Sequence, residues 1–263
     1  MKKMDVVAFE SYQIDKTHQH IPIHLLERLY VFLAKTYHIS ALEEFLHLII
    51  HPKKTGELIV LYGLKDDIAG FCRTMTQELL VGTKKVLSYT ALVYLNSDYN
   101  PYPTTASLGL SQGIRYKLEH PEKEVVYVAL ANNPYAYNFF YQFVESFYPK
   151  PSQQVPEQIL EVVEVLKAQN DWISTGGHPM IVNTPLVPTR STLQDHATEE
   201  SELEEYYLSM NSDYMQGNAL LLYIPLHLAN INYGLNPPNA RVYFENPPHH
   251  LHFGQEPGAS LKV

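Results

Sequence analysis

The stretch YLNSDYNPYPTTASLG, Tyr94 to Gly109, joins an apolar run to a helical pattern, the junction at which many α/β proteins hold a phosphate. The chemistry there would be anion binding by backbone N–H groups at a helix start, with the Thr104 or Thr105 hydroxyl as cap and Ala106 just inside. Pro101 and Pro103 have no N–H to donate, and Asp98 would set a like charge beside any phosphate. The sequence therefore predicts no glycine-type cradle over residues 97–103. It leaves one anion position, against the amides of Thr104 to Ser107.

Other residue groups invite chemistry and lose it on inspection. His18, His20 and His24 in HQHIPIH would need to converge with a further ligand to hold a metal, and Pro22 interrupts any regular spacing. His249, His250 and His252 sit in a Pro- and Gly-punctuated tail. No metal is expected. Ser174, Thr175 and His178 suggest a nucleophile and its base, yet no Gly-x-Ser-x-Gly elbow surrounds either hydroxyl. Asp195, Glu199, Glu200, Glu202, Glu204 and Glu205 crowd a helix-compatible stretch and read as a solvated face.

The elements that must position these residues can be traced along the chain. IPIHLLERLYVFLAKTYHIS places Leu25, Leu29, Phe32 and Leu33 on one helical face, with Pro22 in the first turn. ALEEFLHLIIHP continues as a short second helix, with Ser40 as the expected N-cap and Glu43 at the capping-box position. ELIVLYGL, IAGFCRTMTQELLV and KVLSYTALVYL are β-rich runs separated by short polar turns, an antiparallel meander. Leu110, Ile114 and Leu118 recur every four residues and predict a helix with one buried stripe. VVYVALA is a continuous apolar run, hence a central strand, and NPYAYNFFYQFVESFY follows as an aromatic-rich helix.

Of the 18 prolines, six fall in residues 1–148 and twelve beyond, so a boundary is expected near FYPKPSQQVP. The predicted organisation is a domain over 1–148 and a C-terminal extension over 149–263 that completes the same sheet or stands apart. In the extension PMIVNTPLVP reads as a strand, EESELEEYYLSM as a helix, and NALLLYIPLHLANINYG as a buried strand or a core helix. Trp172 is the expected packing anchor there.

Composition bounds the function classes. A formal charge of −9 repels nucleic acid and anionic membranes, so neither is an expected partner. The single cysteine, Cys72, excludes an intramolecular disulfide framework and reads as a small core residue. The longest apolar stretch, Ala219 to Ile231, is 13 residues against the roughly 20 that a spanning helix needs. With no export signal in MKKMDVVAFESYQID, the expectation is a cytoplasmic protein with a small-molecule ligand.

The order of elements, with DDIAGF at a strand start and Asn133, Ala136, Phe139, Phe140 and Tyr141 in the segment after the central strand, resembles the GNAT-type N-acetyltransferases over roughly residues 5–148. The resemblance implies an α/β (α+β) fold: a mixed, mostly antiparallel sheet flanked by helices. It implies acetyl-CoA or another acyl-CoA as cofactor, its pantetheine arm paired with the backbone of Leu92, Val93 and Tyr94 and its phosphates near Thr104, Thr105 and Ala106. Asn133 would border the same cleft. The family's glycine signature for the pyrophosphate is absent here. Its usual tyrosine acid falls at Phe140, which makes Tyr141, one place along, the candidate acid. Glu78 is the candidate base, with an outward-facing strand position as the other reading. Acyl transfer from a CoA thioester to an amine is the implied function. The alternative is a non-catalytic binding module or homodimer that keeps the fold with a closed or altered cleft, its twenty tyrosines supplying contact surface.

Overall fold

The computed structural model describes residues 4–15, 21–39, 41–50, 54–96, 98–99, 113–175, 177–184, 186–189, 202–227 and 230. The fold is mixed α/β: a large, mostly antiparallel sheet with helices on both faces. β1 (Ala8–Ile14), β3 (Thr55–Tyr62), β4 (Ile68–Val81) and β5 (Lys84–Leu95) form its antiparallel half, and β6 (Glu124–Ala131) continues it. β9 (Asn218–Pro225) and β7 (Ile181–Asn183) extend it from the C-terminal half, giving the order β1-β3-β4-β5-β6-β9-β7. A second, two-stranded sheet pairs β2 (Tyr37–His38) with β8 (Val187–Pro188).

Alternating side chains of the antiparallel strands feed two cores, so both faces are buried and the runs read as continuously apolar. Leu58, Val60, Tyr62, Phe71 and Tyr94 point towards α1 (Ile23–Leu33) and α2 (Leu42–Ile49). Ile59, Leu61, Cys72, Tyr89 and Ala91 point to the other face, whose cluster includes buried residues of α5 (Glu157–Asn170) and Tyr207 of α6 (Glu202–Met210). Cys72 is fully buried there. Helical residues 113–119 (α3) and α4 (Pro134–Phe143) flank β6 in the chain. Among the described residues no helix is long and apolar enough to cross a membrane.

Local chemistry explains most boundaries, and several expectations need correction. α1 follows Pro22 and buries Leu25, Leu29, Phe32 and Leu33, as its spacing predicts. α2 takes Ala41 as its N-cap with no side-chain cap, so Glu43 sits one place too early for the expected capping box, and Ser40 lies outside the described residues. The stripe predicted for α3 is only partly buried: Ile114 is covered, Leu118 is exposed, and Leu110 lies outside the described residues. The helix meets the sheet at its start, where Gly113 lies against Tyr89 and Leu226. The predicted strand PMIVNTPLVP divides into β7 and β8. The chain turns at Thr184, whose N–H and hydroxyl both donate to Gly217 O at 2.9 Å. NALLLYIP is a strand, buried along nearly its whole length because it lies between β6 and β7. Half-buried Trp172 packs against the larger core.

Candidate functional site

β5 and β6 form the one parallel pair among the described strands, joined in register from Val86↔Glu124 to Thr90↔Val128. Both strands then continue, β5 to Leu95 and β6 to Ala131, without further pairing to each other. A parallel pair needs a crossover between its strands, here residues 96–123, so no tight turn holds its ends at a fixed separation. The sheet opens at this seam, between Ala91–Leu95 on one side and Ala129–Ala131 on the other.

The walls differ. Ahead of the opening Tyr89 and Tyr127 stack in register, ring centroids 6.1 Å apart. Gly113 brings α3 over Tyr89, and Phe140 of α4 lies 6.3 Å from the Tyr127 ring. On β5, Leu92 and Tyr94 point towards α1 and α2, while Val93 is 38% exposed on the opposite face. Phe32, Phe71, Tyr94 and Tyr37 make a continuous row of rings at successive distances of 6.0, 4.9 and 5.6 Å. The Tyr37 hydroxyl accepts from Asn132 Nδ2 at 2.9 Å.

Other tyrosines tie down the far end of β6 and the helix that follows it. Tyr207 donates to Ala131 O at 2.9 Å and accepts from Asn211 Nδ2 at 3.0 Å. Tyr137 donates to Pro149 O at 3.1 Å. Burial pushes the phenols of Tyr37, Tyr89, Tyr94, Tyr127 and Tyr207 upward, so at neutral pH each is an uncharged phenol and none is a ready base.

The sequence-derived residues scatter around this seam. Leu92, Val93 and Tyr94 stand on the open stretch of β5. Thr104, Thr105 and Ala106 lie outside the described residues. The connector's start runs away from β6: Asn96 N–H donates to Ala69 O at 2.9 Å, and Met4 N–H donates to Asp98 O at 2.9 Å. Tyr99 packs against Gly63, where any side chain would collide with its ring. Asn133 is the N-cap of α4, accepting from Ala136 N–H at 2.8 Å and donating to Asn132 Oδ1 at 3.1 Å.

Tyr141 is 38% exposed, edge-on to Phe147, with the Lys150 ammonium 5.3 Å from its ring centroid. One helical position separates it from Phe140, a turn of about 100°, and it is Phe140 that lies over Tyr127. Glu78 is 61% exposed and paired to Lys85 at 2.9 Å. It stands opposite Leu87, at the closed end of the seam, roughly 23 Å of strand away from Tyr94. Glu78 thus occupies an exposed strand position beside Lys85, away from the unpaired ends of β5 and β6.

Among the described residues no three His, Cys, Asp or Glu side chains gather to hold a metal ion. The Thr175 hydroxyl donates to Asn218 Oδ1, and His178 Nδ1 accepts from Met180 N–H, so no nucleophile–base pair forms there. Tyr37, Asn132 and Tyr207 were missed by sequence reasoning. The one available signal was an aromatic residue, Tyr37, placed in a short polar connector between two helices.

No protein-family profile and no curated protein matches the chain. Solved structures do. A conserved protein from Enterococcus faecalis, described as a probable N-acyltransferase, aligns at 8% identity and a TM-score of 0.36, covering 54% of this chain and 32% of its own. Saccharomyces cerevisiae N-myristoyltransferase with bound myristoyl-CoA aligns at 12% identity and a TM-score of 0.32, covering 74% of this chain and 50% of its own. A further structure of that enzyme covers 91% of this chain and 55% of its own, with a TM-score of 0.31. The chain thus spans about a third to a half of those longer proteins.

Proposed function

We propose that this protein binds an acyl-CoA in the opening between β5 and β6 and transfers its acyl group from the thioester to an amine. The observation that supports this reading is the seam itself: a parallel ladder that stops at Thr90↔Val128 while both strands run on. Strand edges released in this way offer N–H and C=O groups to an extended amide chain such as a pantetheine arm. In this reading the backbone of Leu92, Val93 and Tyr94 receives the arm, the helix-start amides near Thr104, Thr105 and Ala106 take the phosphates, and Asn133 fixes α4 at the border. The amine nitrogen bonds to the thioester carbon, the C–S bond breaks, the sulfur takes a proton from Tyr141, and the proton the amine loses to water is passed back to the Tyr141 phenolate. Glu78, exposed and paired with Lys85 opposite Leu87, is given no part in this scheme.

A second reading is a module or homodimer that keeps the opening without catalysis. Phe140, which has no proton to give, is the residue that covers Tyr127 beside the seam. Calorimetry and thermal unfolding with acetyl-CoA, CoA and myristoyl-CoA test both readings. At 100 times its dissociation constant a ligand adds about 2.7 kcal/mol and raises Tm by about 5–10 °C for a chain of this size. Binding with CoA release on adding amines supports transfer, and binding without release supports the second reading. No shift with any of the three rejects acyl-CoA as the ligand.

A further inference from the structure

The ladder between β5 and β6 stops at Thr90↔Val128, and the same register carried forward would set Asn132 opposite Tyr94. The two residues are joined instead by a third. Tyr37 lies edge-on to the Tyr94 ring, centroids 5.6 Å apart at 82°, and its hydroxyl accepts from Asn132 Nδ2 at 2.9 Å. Its side chain therefore spans the two strands where they have separated, on the face of α1 and α2. It is 9% exposed, although it belongs to a two-residue strand in a helix-to-helix connector.

That connector is held from the other half of the chain. Tyr37 pairs with Pro188 and His38 with Val187, while the Thr189 N–H and hydroxyl both donate to Thr36 O, at 2.8 and 3.1 Å. Leu186 is buried in the same cluster as Tyr37, Phe71 and Tyr94. A bonded strap of four residues so fixes the backbone on both sides of the Tyr37 side chain.

We propose that Tyr37 is the floor of the β5/β6 opening, held by the strap at residues 186–189, and that it determines how deep a bound acyl group can reach. The Tyr37, Tyr94, Phe71 and Phe32 rings lie on the α1 and α2 side of the seam, and Val93 is exposed on the opposite face. An acyl chain entering from that face meets the Tyr37 ring before it meets the aromatic cluster. Short chains fit above the ring, and longer ones are refused by it. The identity of the occupant rests on the function proposed above, whereas the floor rests on the contacts of Tyr37 alone.

The experiment compares wild type, Tyr37→Phe and Tyr37→Ala in two measurements. In amide hydrogen exchange, Tyr37→Ala is expected to speed exchange at residues 91–95 and 129–133 about tenfold relative to β3 and β4, and Tyr37→Phe much less. In calorimetry with acyl-CoAs of two to fourteen carbons, Tyr37→Ala is expected to favour the long chains over acetyl-CoA about tenfold more than wild type does, the worth of roughly two more buried methylenes. If Ala at this position does not fold, judged by circular dichroism, Tyr37→Leu replaces it. Unchanged exchange at 91–95 and 129–133 in a folded variant overturns the floor, as does a phenylalanine variant that behaves like the smaller one. Faster exchange with no binding of any acyl-CoA by any variant leaves the floor standing and rejects the proposed ligand.

Discussion

Twelve register pairs tie β5 to β4, and five tie it to β6. One strand thus has a long closed edge and a short, open one. The difference follows from connection. β4 reaches β5 through a tight turn at Gly82, whose φ of 60° suits a hairpin, so the register is set next to the turn and runs to the far ends. β6 is reached through residues 96–123, whose length fixes neither separation nor register, and packing decides where pairing stops. The closed half is paired along its whole length, and the seam at one end only.

The largest effect is expected from breaking the closed half. Gly56 has φ of 147° and a Cβ there would press into the Thr74 carbonyl and the Arg73 guanidinium. Gly56→Ala should cost about 3 kcal/mol or more by backbone strain and steric conflict, measured by urea unfolding. Gly113→Ala, beside the seam, should stay within about 0.5 kcal/mol. Its Cβ meets the end of the buried Leu226 side chain at 3.1 Å and the Tyr89 ring at 3.4 Å, contacts that a shift of a few tenths of an ångström relieves, and helix propensity favours alanine. Equal costs at the two glycines would abolish the distinction between rigid ladder and adaptable seam.

A second test uses the two cations buried in the closed half. Arg73 is fully buried, donating from Nε to Ile49 O at 2.7 Å and from Nη1 to Thr74 O, while Nη2 finds no partner among the described residues. Burial lowers its pKa to about 10. Lys54, 8% exposed and bonded to Asn170 Oδ1, is pushed down to about 8 by burial and then by Arg73, against a smaller opposing pull from Asp171. Its folded pKa lies below its unfolded value, so between about pH 8 and 10 the unfolded chain holds the proton and the folded chain does not. Stability should therefore rise with pH across that window, by up to about 3 kcal/mol in the full limit. Above about pH 10 the buried tyrosines, whose folded pKa values are raised, reverse the slope. Lys54→Met should flatten the rise between pH 8 and 10 in urea titrations. A parallel curve for the variant would mean that Lys54 is solvated.

Smaller effects sharpen the seam. Asn133→Ala removes the N-cap of α4 and should cost about 1 kcal/mol of stability. Any acyl-CoA affinity should fall only as far as α4 shifts; a loss of affinity with no loss of stability would give Asn133 direct contact with the ligand. Smallest is Glu78→Gln. It cuts an exposed ion pair with Lys85 and should change stability by less than about 0.5 kcal/mol. Any acyl transfer should be unaffected, and a large fall in rate would place the reacting groups at the other end of β5.

Helices and strands with strong periodicity, from α1 with Leu25 and Leu29 to the central VVYVALA strand, were legible in the amino-acid order, because spacing and turn residues act within a few positions. The sequence also determined that Pro101 and Pro103 have no N–H to offer a phosphate, since a missing N–H is a covalent property. The tertiary structure alone decided that Phe140 and not Tyr141 covers Tyr127, that Glu78 stands at the closed end, and that a strap at 186–189 holds Tyr37 between Tyr94 and Asn132. Each of these depends on contacts between residues far apart in the chain. Hydrophobic burial, which drives them, constrains which faces are covered but does not say by which residue, and only the packed arrangement assigns the partner.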